Sequence, residues 1–240
     1  MSSKAGWEEE ARNWAAWARA PRHDSYYQFR RAFFDDLLPP PGRATLELGC
    51  GEGRVARDLR DHGHRVTAID ASPTLLVLAR EADPDGTYAL ADAADLPLED
   101  GSFDLVVAYN SLMDFDDLPG AVREAARVLE PGGRFAICIT HPVVDAGRWE
   151  SRDPAAPFVI SGSYFGRRPY GETFSRGGLT MTFHGYVASL EHYARELEDA
   201  RFLIERLREP AIPEAEVAAD PGEERWLRLP NFLHILAIKP

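Results

Sequence analysis

Residues 46–54 read LELGCGEGR, a short apolar run followed by glycine at three alternate positions, Gly49, Gly51 and Gly53. Glycine adopts positive φ and lacks the Cβ that would hold a ligand away from the backbone. Three of them after a strand mark a tight turn into a helix, with something brought close to the main chain. The free N–H groups at the start of that helix face the same space. The dinucleotide fingerprint spaces its glycines as G-x-G-x-x-G. Here its third glycine would fall at position 54, which is Arg54, and the pattern present is G-x-G-x-G.

The surrounding chain alternates short apolar runs with helical periods. Strands are expected at 44–48, 65–69, 87–90, 103–109 and 134–140, and helices at 52–62, 73–82 and 118–129. Ser72 and Pro73 read as the N-cap and first residue of the second of these helices. Strand and helix in alternation imply right-handed crossovers and a parallel sheet covered on both faces. Aromatic residues at helical spacing predict helices over 7–38, broken near Pro21 and ended by LPPPG at 38–42. The alternation fails at about residue 143, where Gly, Pro, Ser, Arg and aromatics dominate. A stretch of that length inside a compact domain is usually functional, and its aromatics argue for order. It reads as an insertion over the active site. A strand near 180–187, a helix over 190–200, a strand over 202–207, a loop and a final strand, FLHILAIK, complete the chain.

The expected fold class is therefore α/β. One domain is expected, with a helical cap at 1–40, a core at 41–142, a lid at 143–186 and the rest of the sheet at 187–240. A net charge of −12 disfavours nucleic acid, whose nonspecific binding rests on phosphate neutralisation. It also disfavours anionic membranes. The two cysteines, Cys50 and Cys138, lack partners at metal-ligand spacing, so no metal site and a reduced, cytoplasmic setting are expected. The first residues, MSSKAGWEEEARNW, have no apolar signal-peptide core.

Three carboxylates stand in register with the glycine loop. Glu47 precedes it, Asp70 ends the second strand in VTAID, and Asp92 follows the third strand in ALADAADLP. The spacings of 23 and 22 residues put each at the carboxyl end of a successive strand, the edge where open α/β sheets bind ligands. With DGSFDLVVAYNSLMDFDD and AVREAARVLEPGGRF, these segments resemble the class I S-adenosylmethionine-dependent methyltransferases, closely over about 40–140. The resemblance implies a Rossmann-like sheet of seven mostly parallel strands with helices on both faces and an antiparallel last strand. It implies S-adenosylmethionine as cofactor and S-adenosylhomocysteine as product.

It also implies roles. Glu47 and the loop at Gly49, Cys50, Gly51 and Gly53 would hold the methionine portion, and Asp70 the ribose. Ala71 would flank the adenine, and Asp92 and Ala93 would read its edge. Asn110 would meet the ammonium, with Ser111 beside it. Tyr26 and Tyr27 are candidates to close over the sulfonium, whose charge an aromatic face attracts. Trp14 and Trp17 read as core packing. Histidine is the natural base near neutral pH. His141, in ITHP on the ligand edge, and His184, in TFHGY leaving the insertion, are the catalytic candidates, with Asp114 a further contact to the acceptor. The other histidines read as surface or packing residues. The expected reaction is in-line methyl transfer, without metal, to a small-molecule O or N. A nucleic-acid base methyltransferase, a dinucleotide oxidoreductase and a non-catalytic binding module are the rivals, and a homodimer is admitted.

Overall fold

The computed structural model describes residues 2–240. The chain opens with α1 (Ser3–Arg19) and α2 (Tyr26–Phe34). Then follow β1 (Thr45–Leu48), α3 (Arg54–Asp61), β2 (Val66–Asp70), α4 (Pro73–Ala82), β3 (Thr87–Leu90), β4 (Phe103–Tyr109), α5 (Leu118–Val128) and β5 (Leu129–Thr140). Next come the short α6 (Pro142–Asp145) and two hairpins, β6 (Gly147–Trp149) with β7 (Phe158–Ile160), and β8 (Arg168–Arg176) with β9 (Leu179–Val187). The chain returns through α7 (Leu190–Asp199), β10 (Leu203–Arg208), α8 (Glu214–Ala219) and β11 (Phe232–Ile238).

Seven strands form one sheet in the order β10-β11-β5-β4-β1-β2-β3. β1 pairs in parallel with both β2 and β4, and only β11 runs against its neighbours β5 and β10. This is the expected Rossmann-like arrangement. The strand order reverses between β1 and β4, and a crevice opens there at the carboxyl ends. One face is covered by α5 and α7 through Leu118, Val122, Tyr193 and Leu197. The other is covered by α2, α3 and α4 through Phe29, Phe33, Leu59 and Leu76. β1 is buried throughout, as a central strand between two helical layers must be.

Local chemistry sets the helix starts. The Ser72 hydroxyl accepts from the Leu75 N–H, with Pro73 at the first position of α4. The Asp117 carboxylate accepts from the Gly120 N–H at the start of α5. α3 begins at Arg54 rather than Glu52, because Gly53 holds φ at +83° and keeps its neighbours in the turn. The insertion is more regular than expected. β8 and β9 pair over nine residues each and turn at Gly177 and Gly178, with φ of 57° and 82°. Two consecutive positive φ values match the right-handed twist of the strands, which is why Gly-Gly serves there. The stretch expected as a loop before the last strand holds α8 and a 3-10 turn, Pro221–Leu227. Among the described residues, no helix is long and apolar enough to cross a membrane.

His234 lies within β11 with no exposed surface, and neither ring nitrogen has a hydrogen-bond partner. Its ring stands edge-on to Phe33 at 5.4 Å. Burial pushes its pKa down to about 4 from 6.5. The unfolded chain therefore takes up a proton first, and stability is lost as pH falls from the unfolded value toward the folded one. His234→Leu should stabilise the fold by roughly 1–2 kcal/mol through removal of buried unpaired nitrogens. The gain should be larger at about pH 5 than at about pH 8, as urea titrations at both would read.

Candidate active site

A cavity of about 1020 Å³ lies over the carboxyl ends of β1, β2, β4 and β5. Its floor is the glycine loop, where Gly49, Gly51 and Gly53 have φ of 70°, 55° and 83°. All three take the left-handed region that other residues avoid. A Cβ on Gly49 would stand 2.6 Å from the Ser111 Cβ, so the loop and the end of β4 touch directly. Ser111 is buried and its hydroxyl donates to the Leu48 carbonyl at 2.6 Å, locking that contact.

Asp70 holds the loop in place. One carboxylate oxygen accepts from the Gly51 N–H at 2.7 Å and the other from the Ser72 N–H at 2.8 Å. Burial raises its pKa, and these amide hydrogen bonds oppose the rise. Glu47 is 2% exposed and lines the cavity, and its Oε2 has no partner. Burial, assisted by the Asp70 charge, pushes its pKa up to about 8. Asp92 accepts from the Ala94 N–H at 3.0 Å and pairs with Lys4 at 3.2 Å. Asn110 holds φ at 51°, unusual for a residue with a side chain, and its Oδ1 accepts from the Cys138 thiol. Ala71 and Ala93 complete this side of the lining.

The roof comes from α1 and the β8–β9 hairpin. The rings of Trp7, Trp14 and Trp17 each meet Phe183 edge-on, at 6.3, 6.0 and 6.1 Å. The Trp7 indole and the Ser3 hydroxyl both donate to the His184 carbonyl. A Cβ at Gly6 would lie 2.5 Å from the His184 ring, so the close approach of α1 depends on that glycine. Trp14, expected in the core, lies against the glycine loop instead. Its Nε1 is 3.2 Å from where a Gly51 Cβ would stand.

Three expected site residues fall outside the lining. His141 caps α6, its Nδ1 accepting from the Val143 N–H, while Nε2 meets Glu209 at 2.9 Å. Both nitrogens are occupied at the helix start, so the structure places His141 apart from the lining. Tyr27 is 53% exposed because it projects from the outer side of α2, and Tyr26 takes the buried side. Tyr26 lines the cavity but donates its hydroxyl to Asp58 at 2.6 Å. Gly53 packs under the loop, where a Cβ would meet the Tyr88 hydroxyl at 2.7 Å. His184 does line the cavity.

Other lining residues escaped the sequence reading. Arg54, noticed only for displacing a glycine, pairs with Asp24 and stacks on Tyr26 and Trp14 at 4.3 and 5.1 Å. Its place as the first residue of the helix after the loop was the available signal. Asp145, at the end of α6, also lines the cavity with Thr140 and Tyr170. Burial pushes the Asp145 pKa up to about 7, against the opposing charge of Arg168. Burial, with the charges of Asp70 and Asp145, holds Asp114 well above the usual carboxylate range.

The methyltransferase domain family matches residues 46–137. A malonyl-[acyl-carrier protein] O-methyltransferase of Erwinia pyrifoliae is 32% identical over 184 residues, covering 73% of this chain and 68% of that protein. Another of the same description, from Enterobacter lignolyticus, is 37% identical over 128 residues, 51% of each chain. The chain thus spans about half the length of several curated relatives it matches. Among solved structures, an S-adenosylmethionine-dependent methyltransferase from Mesorhizobium loti superposes with a TM-score of 0.72 at 27% identity, covering 88% of this chain and 97% of that one.

Glu47 has a raised folded pKa, so its neutral form is favoured in the fold. That stability is complete below the unfolded value of 4.5 and is lost as pH rises to about 8. In the protein without ligand, Glu47→Gln should therefore be more stable than wild type by roughly 2–4 kcal/mol at about pH 8. The gap should close toward about pH 4.5, which paired urea titrations would measure.

Proposed function

The chain belongs to the class I S-adenosylmethionine-dependent methyltransferases, and on that premise we propose that it methylates a small molecule with an apolar or aromatic body. The observation that carries the reading is Glu47, a buried carboxyl with an unpartnered oxygen facing the cavity beside the glycine loop. Such a group is costly unless a ligand completes it. The residues fit this cofactor. Glu47 would accept from its ammonium, and Arg54 would meet its carboxylate. Asp70 keeps lone pairs free for ribose hydroxyls beyond the two amides it already accepts. Asp92 and the Ala93 amide would face the adenine edge.

S-adenosylmethionine supplies a methyl group on a sulfonium whose departure leaves a neutral thioether. The protein's own contribution is alignment and exclusion of water. The cavity is at the upper end of the 300–1000 Å³ or so usual for small-molecule sites. It therefore leaves room for an acceptor beside the cofactor. The aromatic roof would cover that acceptor, and a net charge of −12 supports a small molecule over a nucleic acid. α1 is tied over the cleft by the Lys4–Asp92 pair and the Trp7–His184 hydrogen bond.

Calorimetry with S-adenosylhomocysteine tests the cofactor half. Asp70→Ala should weaken binding by about a hundredfold, since a charged acceptor and the loop's anchor vanish together. At neutral pH, wild-type binding should release a proton as Glu47 ionises against the ammonium, visible as a dependence of the heat on buffer ionisation enthalpy. Glu47→Gln should abolish that release. No detectable binding of S-adenosylhomocysteine would sink the reading, and a labelled-methyl screen across metabolites would identify the acceptor.

A further inference from the structure

Far from the cavity, β10 forms one edge of the seven-stranded sheet. All six of its residues are exposed. Three of them are large and apolar: Leu203 is 61% exposed, Ile204 43% and Leu207 38%. The opposite edge, β3, is shorter at four residues and buries Tyr88. An edge strand carries backbone N–H and C=O groups that no neighbour pairs, and proteins blunt such edges with charges or a bulge. β10 has both. Glu205, Arg206 and Arg208 stand among the apolar residues, and the register against β11 shifts between Ile204 and Arg206. Such an edge rejects an arbitrary strand, and the order of its faces defines the strand it would accept.

Ile204 lies opposite Ala237 and Leu207 opposite Ile235, on the face that α5 and α7 cover. Leu203, Arg206 and Arg208 lie opposite Ile238, Leu236 and His234, on the other face. Glu205 joins them there, because it pairs at 2.8 Å with Arg134, which itself stands opposite Ile238. The bulge thus sets Glu205 and Arg206 on one face at the middle of the strand. Glu205 has Arg134, whereas Arg206 has no ion-pair partner among the described residues. Read from either end, the sequence of faces along β10 is the same. The chemistry reverses with it: Ile204 exchanges with Leu207, and Glu205 with Arg206.

We propose that β10 is an interface for a second copy of this chain, the two β10 strands pairing antiparallel about a two-fold axis between Glu205 and Arg206. Ile204 then lies beside the partner's Leu207, and Leu207 beside the partner's Ile204. Glu205 meets the partner's Arg206, and Arg206 the partner's Glu205. Leu203 covers the stem of the partner's Arg208. Every contact occurs twice, as an isologous interface requires. A slip of one residue in either direction sets Glu205 on its own copy or Arg206 on its own copy. Like charges directly opposite are destabilising, and the slip also puts side chains on the wrong face. A strand without the same central bulge does not reproduce the order of faces, which selects a second copy over an unrelated strand.

Sedimentation velocity on the full chain, from micromolar to about millimolar, tests this. A single strand pair is at the small end of interface sizes, so the dimer should be concentration-dependent. The wild type should shift toward twice the monomer mass as concentration rises. Arg206→Glu sets glutamate against the partner's Glu205 and should weaken dimerisation by about tenfold or more. Its urea unfolding midpoint should match wild type, since Arg206 pairs with no acid of its own chain. Glu205→Arg should weaken dimerisation similarly. An equimolar mixture of the two variants should restore dimers, because each glutamate then meets an arginine across the axis. A role confined to one chain cannot produce that rescue. A wild type that stays monomeric throughout would overturn the proposal and leave the edge to a different partner. A dimer that persists in both variants, or a mixture that fails to associate, would overturn it as well.

Discussion

The Asp70 carboxylate is the joint on which the site depends. It sits at the end of β2 and accepts one amide from the glycine loop and one from the start of α4. Those two segments belong to different crossovers, and Asp70 joins them by hydrogen bonds to both. The three left-handed glycines give the loop its path, but a path of glycines is soft, since glycine loses the most freedom on folding. The Asp70 hydrogen bonds offset part of that loss. They leave Glu47 underneath in a water-poor pocket, and its displaced pKa is a consequence of the same enclosure.

The cavity divides by the use each carboxyl finds. Asp70 and Asp92 are satisfied by backbone amides, and Asp92 also by Lys4. Glu47, Asp114 and Asp145 hold raised pKa values chiefly because burial strips water from the charged form. An acidic chain that collects uncompensated carboxyls in one cleft is arranged for positive charge. The sulfonium of the cofactor is one such charge. The aromatic roof adds ring faces that favour cations in the same space.

Much of the sheet was legible because each element carried a local cause. Ser72-Pro73 announces α4, and apolar runs at 103–109 and 134–140 announce strands buried on both sides. The carboxylates at 47, 70 and 92 were legible because their spacing follows the crossovers. The β8 strand was not read, although Gly177-Gly178 between two alternating segments is a hairpin signal. Its polar, exposed residues look like loop when no partner is in view. The place of His141 was not legible, because a histidine at a strand end can serve a helix cap as readily as a cavity, and its contact with Glu209 comes from a distant segment.

What the sequence determined by itself was the parallel sheet, the carboxyl edge that binds its ligand and the kind of ligand the glycine loop accepts. Those depend on periodicity and on backbone conformations that only certain residues adopt. Tertiary structure decided which carboxyls stay unpaired, which face of α2 turns inward, and that α1 lies across the cleft with Trp14 on the loop. These depend on burial and on contacts between segments more than a hundred residues apart, such as Gly6 with His184. Desolvation and close packing are properties of three-dimensional neighbours, and no local pattern in the chain encodes them.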